Sequence, residues 1–179
     1  MSLAPAGGLV LQVAHVVRNL DTAIARWVDG LGAGPFLKEV FRFEDHVYRG
    51  APAVTDVTVA VGALGDTLIE LVCPNNTQPS IFNEVLTARG EGLHHYWMAC
   101  ADLDAQAARF AAAGYPQIGG GAMRPIGRCA YIDTTRLLGC FVELIDMRPA
   151  GWDMLSQIKA AHAGWDKSDP VRPYPQILK

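Results

Sequence analysis

Two glutamates stand alone in apolar runs: Glu70 in LIELV (68–72) and Glu143 in FVELI (141–145). A strand sends alternate side chains to opposite faces. Glu70 therefore shares a face with Leu68 and Val72, and Glu143 with Phe141 and Ile145. Burying a lone carboxylate among such neighbours costs roughly several kcal/mol unless it is paired, protonated or bound to a metal. Two adjacent histidines, His94 and His95, open a third apolar run, GLHHYWMACADLD (92–104). Alternation puts them on opposite faces, so one of the two can join the carboxylates. Carboxylates with an imidazole are the groups that hold a divalent cation and move protons.

An internal repeat selects the histidine. QVAHVVRNLDTAIARW (12–27) reads like HYWMACADLDAQAARF (95–110), 83 positions later. The match sets Gln12 on His95, Asn19-Leu20-Asp21 on Asp102-Leu103-Asp104, and Trp27 on Phe110. Glu70 and Glu143 match at a spacing of 73. The first copy therefore carries about ten extra residues, which we place in EVFRFEDHVYRGAP (39–52). Gln12, Glu70, His95 and Glu143 fall at repeat-related positions and can all donate to one cation. The readings of the other histidines follow from the same register. His15 faces away from Gln12, toward a helix, and would replace Gln12 only if the register slipped by one. His94 faces away with Tyr96 and Met98, and His46 lies exposed in the inserted hairpin, a loop that can reach over a pocket.

Each copy must position these groups with the same elements: a strand, an Asn or Asp helix cap, an amphipathic helix ending at a glycine (Gly32 or Gly114), then three strands. Leu20, Ile24, Trp27 and Leu31 form the apolar stripe of the first helix. The strands between helix and last strand are predicted at 36–48 and 54–62, and at 115–122 and 128–134. The reading is α+β: two β-α-β-β-β modules, 9–74 and 93–148, curl an eight-stranded mixed sheet around one central site. Residues 75–92 are a linker with a short helix from Ser80 to Arg89. Residues 149–179 are a tail, with Trp152, Leu155, Ile158 and Trp165 on the apolar side of a helix.

Composition narrows the function classes. The 179 residues are half hydrophobic and 18% charged, with a formal net charge of −3 and no Lys/Arg run longer than two, which excludes a nucleic-acid binder. The apolar stretch from Leu9 to Val17 is too short to span a bilayer and has no basic flank, so no membrane partner is expected. The four cysteines contain no C-x-x-C pair and read as buried free thiols, which fits a cytoplasmic protein. IGGGAMRPIGR (118–128) lacks a P-loop signature, and its glycines read as turn, bulge or close-packing positions. Tyr131 reads as a core residue unless it faces the metal.

These features together resemble the vicinal oxygen chelate superfamily, which includes glyoxalase I, methylmalonyl-CoA epimerase, extradiol dioxygenases and bleomycin resistance proteins. The resemblance covers residues 9–148 and rests on the paired units, QVAHVVRNLD, IELV, GLHHYWMACADLD and GCFVELID. It implies one divalent metal (Zn, Ni, Co, Mn, Mg or Fe) held by Gln12, Glu70, His95 and Glu143, a set similar to that of some glyoxalase I enzymes. It also implies a small-molecule substrate and a homodimer. The implied activity is that of a metal-dependent lyase or isomerase, with Glu143 or Glu70 moving a proton beside a carbonyl. Two alternatives stay open: an extradiol Fe(II) dioxygenase, which would need a second histidine ligand, and a non-catalytic small-ligand binder. The glyoxalase-like turn before the last glutamate is absent, and DTTRLLGCFVEL stands in its place.

Overall fold

A computed structural model describes residues 9–174. The first half runs β1 (Val10–Val16), α1 (Leu20–Leu31), β2 (Phe36–Tyr48), β3 (Ala51–Leu64) and β4 (Thr67–Pro74). After α2 (Ile81–Ala88) the order repeats as β5 (Gly92–Ala99), α3 (Leu103–Ala112), β6 (Gln117–Met123), β7 (Gly127–Ile132), a one-turn α4 (Thr135–Leu138) and β8 (Phe141–Ile145). The chain continues through α5 (Pro149–His162) and β9 (Val171–Pro173).

Local chemistry starts the helices where the sequence places them. The side chains of Asn19, Ser80 and Asp102 accept from the amides of Thr22, Asn83 and Ala105 at 2.9, 3.1 and 2.9 Å, each satisfying one orphan donor of a first turn. Gly32 ends α1 in the left-handed conformation, at φ 71°. On α1 the buried stripe is Leu20, Ala23, Ile24 and Val28, whereas Leu31 is exposed. Leu31 keeps the spacing of that stripe but is the last residue of the helix, where its side chain is exposed.

The strands run β3-β4-β1-β5-β8-β7-β6-β2, and a further β2–β3 pairing closes them into a ring within one chain. Strands β1 and β5 pair antiparallel at its middle, and each has its module's last strand parallel on its outer side, β4 and β8. Inside the ring the alternating apolar residues of these strands form one core, which includes Leu68, Val72, Trp97, Phe141 and Ile145. The opposite faces pack on helices: Ile69 and Leu71 with α1, Val142 and Leu144 with α3. The extra length of the first copy lies in the β2–β3 hairpin, whose 13- and 14-residue strands compare with 7 and 6 in β6 and β7.

The tail is part of the same core. Met154, Leu155 and Ile158 of α5 are buried inside the ring's core cluster, and β9 adds to β2 in parallel. Trp152, expected on that apolar side, is instead exposed, and Met154 takes the inward position. Among the described residues no helix is long and apolar enough to cross a membrane.

Candidate active site

Strand register brings the four repeat-related residues together. Ala14 of β1 is the ladder partner of Glu70 on one side and of His95 on the other. Two residues along, Trp97 of β5 is the partner of Gln12 and of Glu143. These two rows exchange under the repeat, so the pseudo-two-fold passes between β1 and β5. All four side chains point into the ring. Gln12, His95 and Glu143 are 5%, 0% and 3% exposed, and Glu70 opens to the interior with 16% of its side chain exposed.

The histidine ring is the meeting point. His95 Nε2 lies 2.9 Å from Glu143 Oε2 and 3.4 Å from Glu70 Oε2. Burial disfavours the imidazolium of His95, but contact with Glu143 and the charges of both carboxylates outweigh it, so its pKa is raised. Burial pushes the Glu70 carboxyl up to about 7, with His95 opposing and Glu143 adding to the shift. A carboxyl that titrates near neutrality can both take and return a proton.

His94 does not face away as simple alternation requires. In the β1–β5 ladder His95 pairs with Ala14 and Leu93 with His15, which leaves His94 as the extra residue of a bulge. A bulge re-aims the side chain of its unpaired residue. The His94 ring, fully buried, stacks on Phe82 at 4.7 Å between centroids. Its Nδ1 meets His95 Nδ1 at 2.9 Å, and its Nε2 meets the Ile81 carbonyl at 3.1 Å. Burial, reinforced by neighbouring His95, holds its pKa well below the ordinary range. His15 faces outward as expected, edge-on to Trp27 of α1 at 5.2 Å.

Above this centre lies a cavity of about 70 Å³, onto which Gln12, Glu70 and Glu143 open. Its walls are mostly apolar and include the aromatic rings of Phe41, Phe43, Phe82, Trp97, Tyr131 and Tyr174. Tyr131 is the ladder partner of Glu143, and its ring stands 5.4 Å edge-on to His95, so it faces the site. Two wall residues escaped the sequence reading. His46 is only 6% exposed, not an exposed hairpin residue: the register shift between Phe43 and His46 folds it inward, where Nδ1 meets Thr55 Oγ1 at 2.9 Å and Nε2 meets the Ala122 carbonyl at 3.2 Å. Gly121 makes room for it, since a Cβ there would collide with the His46 ring. Tyr174 comes from the tail, and its hydroxyl has the thioether of Met154 as a neighbour at 3.5 Å. The periodicity of the sequence carried no signal for either residue.

Among the described residues no group of three or more His, Cys, Asp or Glu side chains is already disposed to hold an ion. Yet Glu143 Oε1 is a buried polar atom without a hydrogen-bond partner, and His95 Nε2 meets the carboxylates as an ion pair without hydrogen-bond geometry. Neighbouring ligand atoms around a small divalent ion lie roughly 3 Å apart, close to the 2.9 and 3.4 Å separations found here. One imidazole, two carboxylates and an amide are a chemically suitable set. The donor types suit such an ion, and the side chains as placed do not yet enclose one.

The sequence model of the Glyoxalase/Bleomycin resistance protein/Dioxygenase superfamily matches residues 11–131. The chain belongs to this superfamily. Solved structures agree on the fold. Methylmalonyl-CoA epimerase from Mycobacterium tuberculosis aligns with a TM-score of 0.57 at 24% identity, over 77% of this chain and 87% of that one. A hypothetical protein from Bacillus halodurans C-125 aligns with a TM-score of 0.60 at 16% identity, over 78% and 94%. A variant of Streptomyces coelicolor methylmalonyl-CoA epimerase in complex with 2-nitronate-propionyl-CoA gives 0.58 at 18%, over 79% and 95%. No curated protein matches the chain in sequence.

Proposed function

We propose that the protein is a divalent-metal-dependent isomerase or lyase that moves a proton on a carbon beside a carbonyl. One observation carries the reading: carboxylates from the last strands of the two halves, Glu70 and Glu143, reach the same buried imidazole nitrogen at the floor of a small cavity. Gln12, Glu70, His95 and Glu143 would hold the ion. When bound, it would polarise the substrate carbonyl and stabilise the enolate oxygen.

The chain's own groups account for the rest. Glu70, open to the cavity with 16% of its side chain exposed, is suited to accept the α-proton. Glu143 comes from the equivalent strand of the other half and can serve the opposite face, which is the arrangement an epimerisation needs. Aromatic walls exclude water and favour an apolar substituent on the reacting carbon. The epimerases of like fold support this class of chemistry. The dioxygenase alternative is less well served. It needs a second histidine, but His94 has both ring nitrogens engaged and His15 lies on the far face.

The test is proton exchange in D2O. The protein reconstituted with Co²⁺, Ni²⁺ or Zn²⁺ should place deuterium at the α-carbon of a small 2-substituted carbonyl compound or acyl thioester. Chelator should stop it. Undiminished exchange in rigorously metal-free protein would sink the metal requirement. Oxygen consumption with ring cleavage of a catechol would replace the reading altogether.

A further inference from the structure

We propose that His94 is a positioning residue: it holds one ring proton of His95 on Nδ1 and so makes Nε2, which faces Glu143 and Glu70, the nitrogen that binds an ion or exchanges a proton with them. The hydrogen-bond chain dictates the assignment. The Ile81 carbonyl can only accept, so His94 Nε2, 3.1 Å away, must carry a proton. The ring of His94 is wholly enclosed between Phe82, Phe141 and His95, with no carboxylate against it, so it is neutral. Its Nδ1 is then an acceptor. The atom facing that acceptor at 2.9 Å is His95 Nδ1, which must therefore donate. With Nδ1 committed, any second proton on the ring lies on Nε2, against Glu143 Oε2 at 2.9 Å, and the neutral ring has none there.

The bulge is what makes the chain of bonds possible. A regular strand would send adjacent histidines to opposite faces. Here the unpaired position lets His94 lie against its neighbour, while α2 supplies the terminal acceptor from its first residue. A buried histidine that orients a ligand in this way belongs to the shell of groups whose loss typically costs about 10–100-fold in metal affinity. This consequence rests on the proposed ion site, whereas the tautomer does not.

Two measurements separate these. Long-range ¹H–¹⁵N correlation of histidine-labelled, metal-free protein, at alkaline pH where both rings are neutral, reads the tautomers directly. We expect His95 protonated on Nδ1 and His94 on Nε2. His95 protonated on Nε2 would overturn the proposal whatever the metal does. Titration with Zn²⁺ or Co²⁺ alone, against a competing chelator, reads the consequence. His94→Phe should bind about 10–100-fold more weakly than wild type. His94→Gln, whose amide can donate to Ile81 and accept from His95, should recover most of the loss. Wild-type affinity in His94→Phe would overturn the positioning role. A wild-type protein that binds neither ion would instead remove the metal site and leave the tautomer result standing. If His94→Phe fails to fold, the wild-type tautomer and His94→Gln still decide.

Discussion

Glu70 and Glu143 reach one nitrogen, His95 Nε2, at 3.4 and 2.9 Å, although two strands lie between theirs in the sheet. The ring's curvature and its pseudo-two-fold produce the meeting. Each glutamate is one ladder step from the strand that carries Gln12 or His95, and both sides turn inward. Convergence of equivalent strand positions on one point is what allows a single site to be built from two copies of a unit that has none.

The two carboxylates should therefore be separately indispensable. Glu70→Gln and Glu143→Gln keep shape and hydrogen bonding but remove the proton acceptor. Each should lower α-proton exchange about 10²–10⁴-fold. If one exchanges as wild type does, that residue is not an acid–base group. A stereospecific label shows which glutamate serves which face.

Metal retention tests the ligand set. His95→Ala removes the only imidazole nitrogen aimed at the centre among the described residues, and should purify with little metal. Gln12→Ala removes a neutral oxygen donor from a position that opens on the cavity, and should weaken binding less. Metal-to-protein ratios after identical purification measure both. Full occupancy in His95→Ala would break the assignment and, with it, the equivalence of Gln12.

In the metal-free protein Glu70 should contribute stability that falls as pH rises toward 7, against the opposite pull of His15, His46 and His94, whose lowered pKa values favour the fold at higher pH. Glu70 titrates at about 7 in the fold against an ordinary 4.5, so between these values the folded protein binds more protons than the unfolded chain. The contribution of this group then decreases with pH across that window, by about 3–4 kcal/mol at most. The raised pKa of His95 acts in the same direction, since stability from its extra proton is lost as pH rises through its folded value. Denaturant midpoints from pH 4.5 to 8 read the slope. Relative to wild type, Glu70→Gln should lose this downward component, and an unchanged slope in that variant would place the titrating group elsewhere.

Much of this architecture is legible in the sequence because the repeat encodes it. The spacing of 83 between Gln12 and His95 reappears as two exchanged ladder rows, and the ten-residue excess reappears as the longer β2–β3 hairpin. The unread parts depend on contacts that periodicity does not carry. The inward turn of His94 comes from a bulge, which is set by pairing with β1 rather than by the residues of β5 alone. His46 looks like a polar hairpin residue until the hairpin folds over Gly121 and the Ala122 carbonyl satisfies its ring. Tyr174 belongs to a segment with no counterpart in the repeat, so only the packing of α5 and β9 reveals its place.

That last residue yields the final expectation. Tyr174 is 6% exposed, stands edge-on to Phe41 at 5.5 Å and forms part of the cavity wall. Burial, with Glu70 nearby, pushes its hydroxyl well above the ordinary phenol range, so it stays protonated and can donate. Tyr174→Phe removes only that donor. Because the partner it leaves is a weak thioether acceptor, stability should change by less than about 1 kcal/mol. Tyr174→Ala removes the ring as well, and truncating a buried aromatic costs about 3–5 kcal/mol. The two variants thus separate a wall from a hydroxyl contact. If the hydroxyl touches the substrate, Tyr174→Phe loses activity at near-wild-type melting temperature. If the ring merely closes the cavity, Tyr174→Phe retains activity, and Tyr174→Ala accepts bulkier substrates while melting lower.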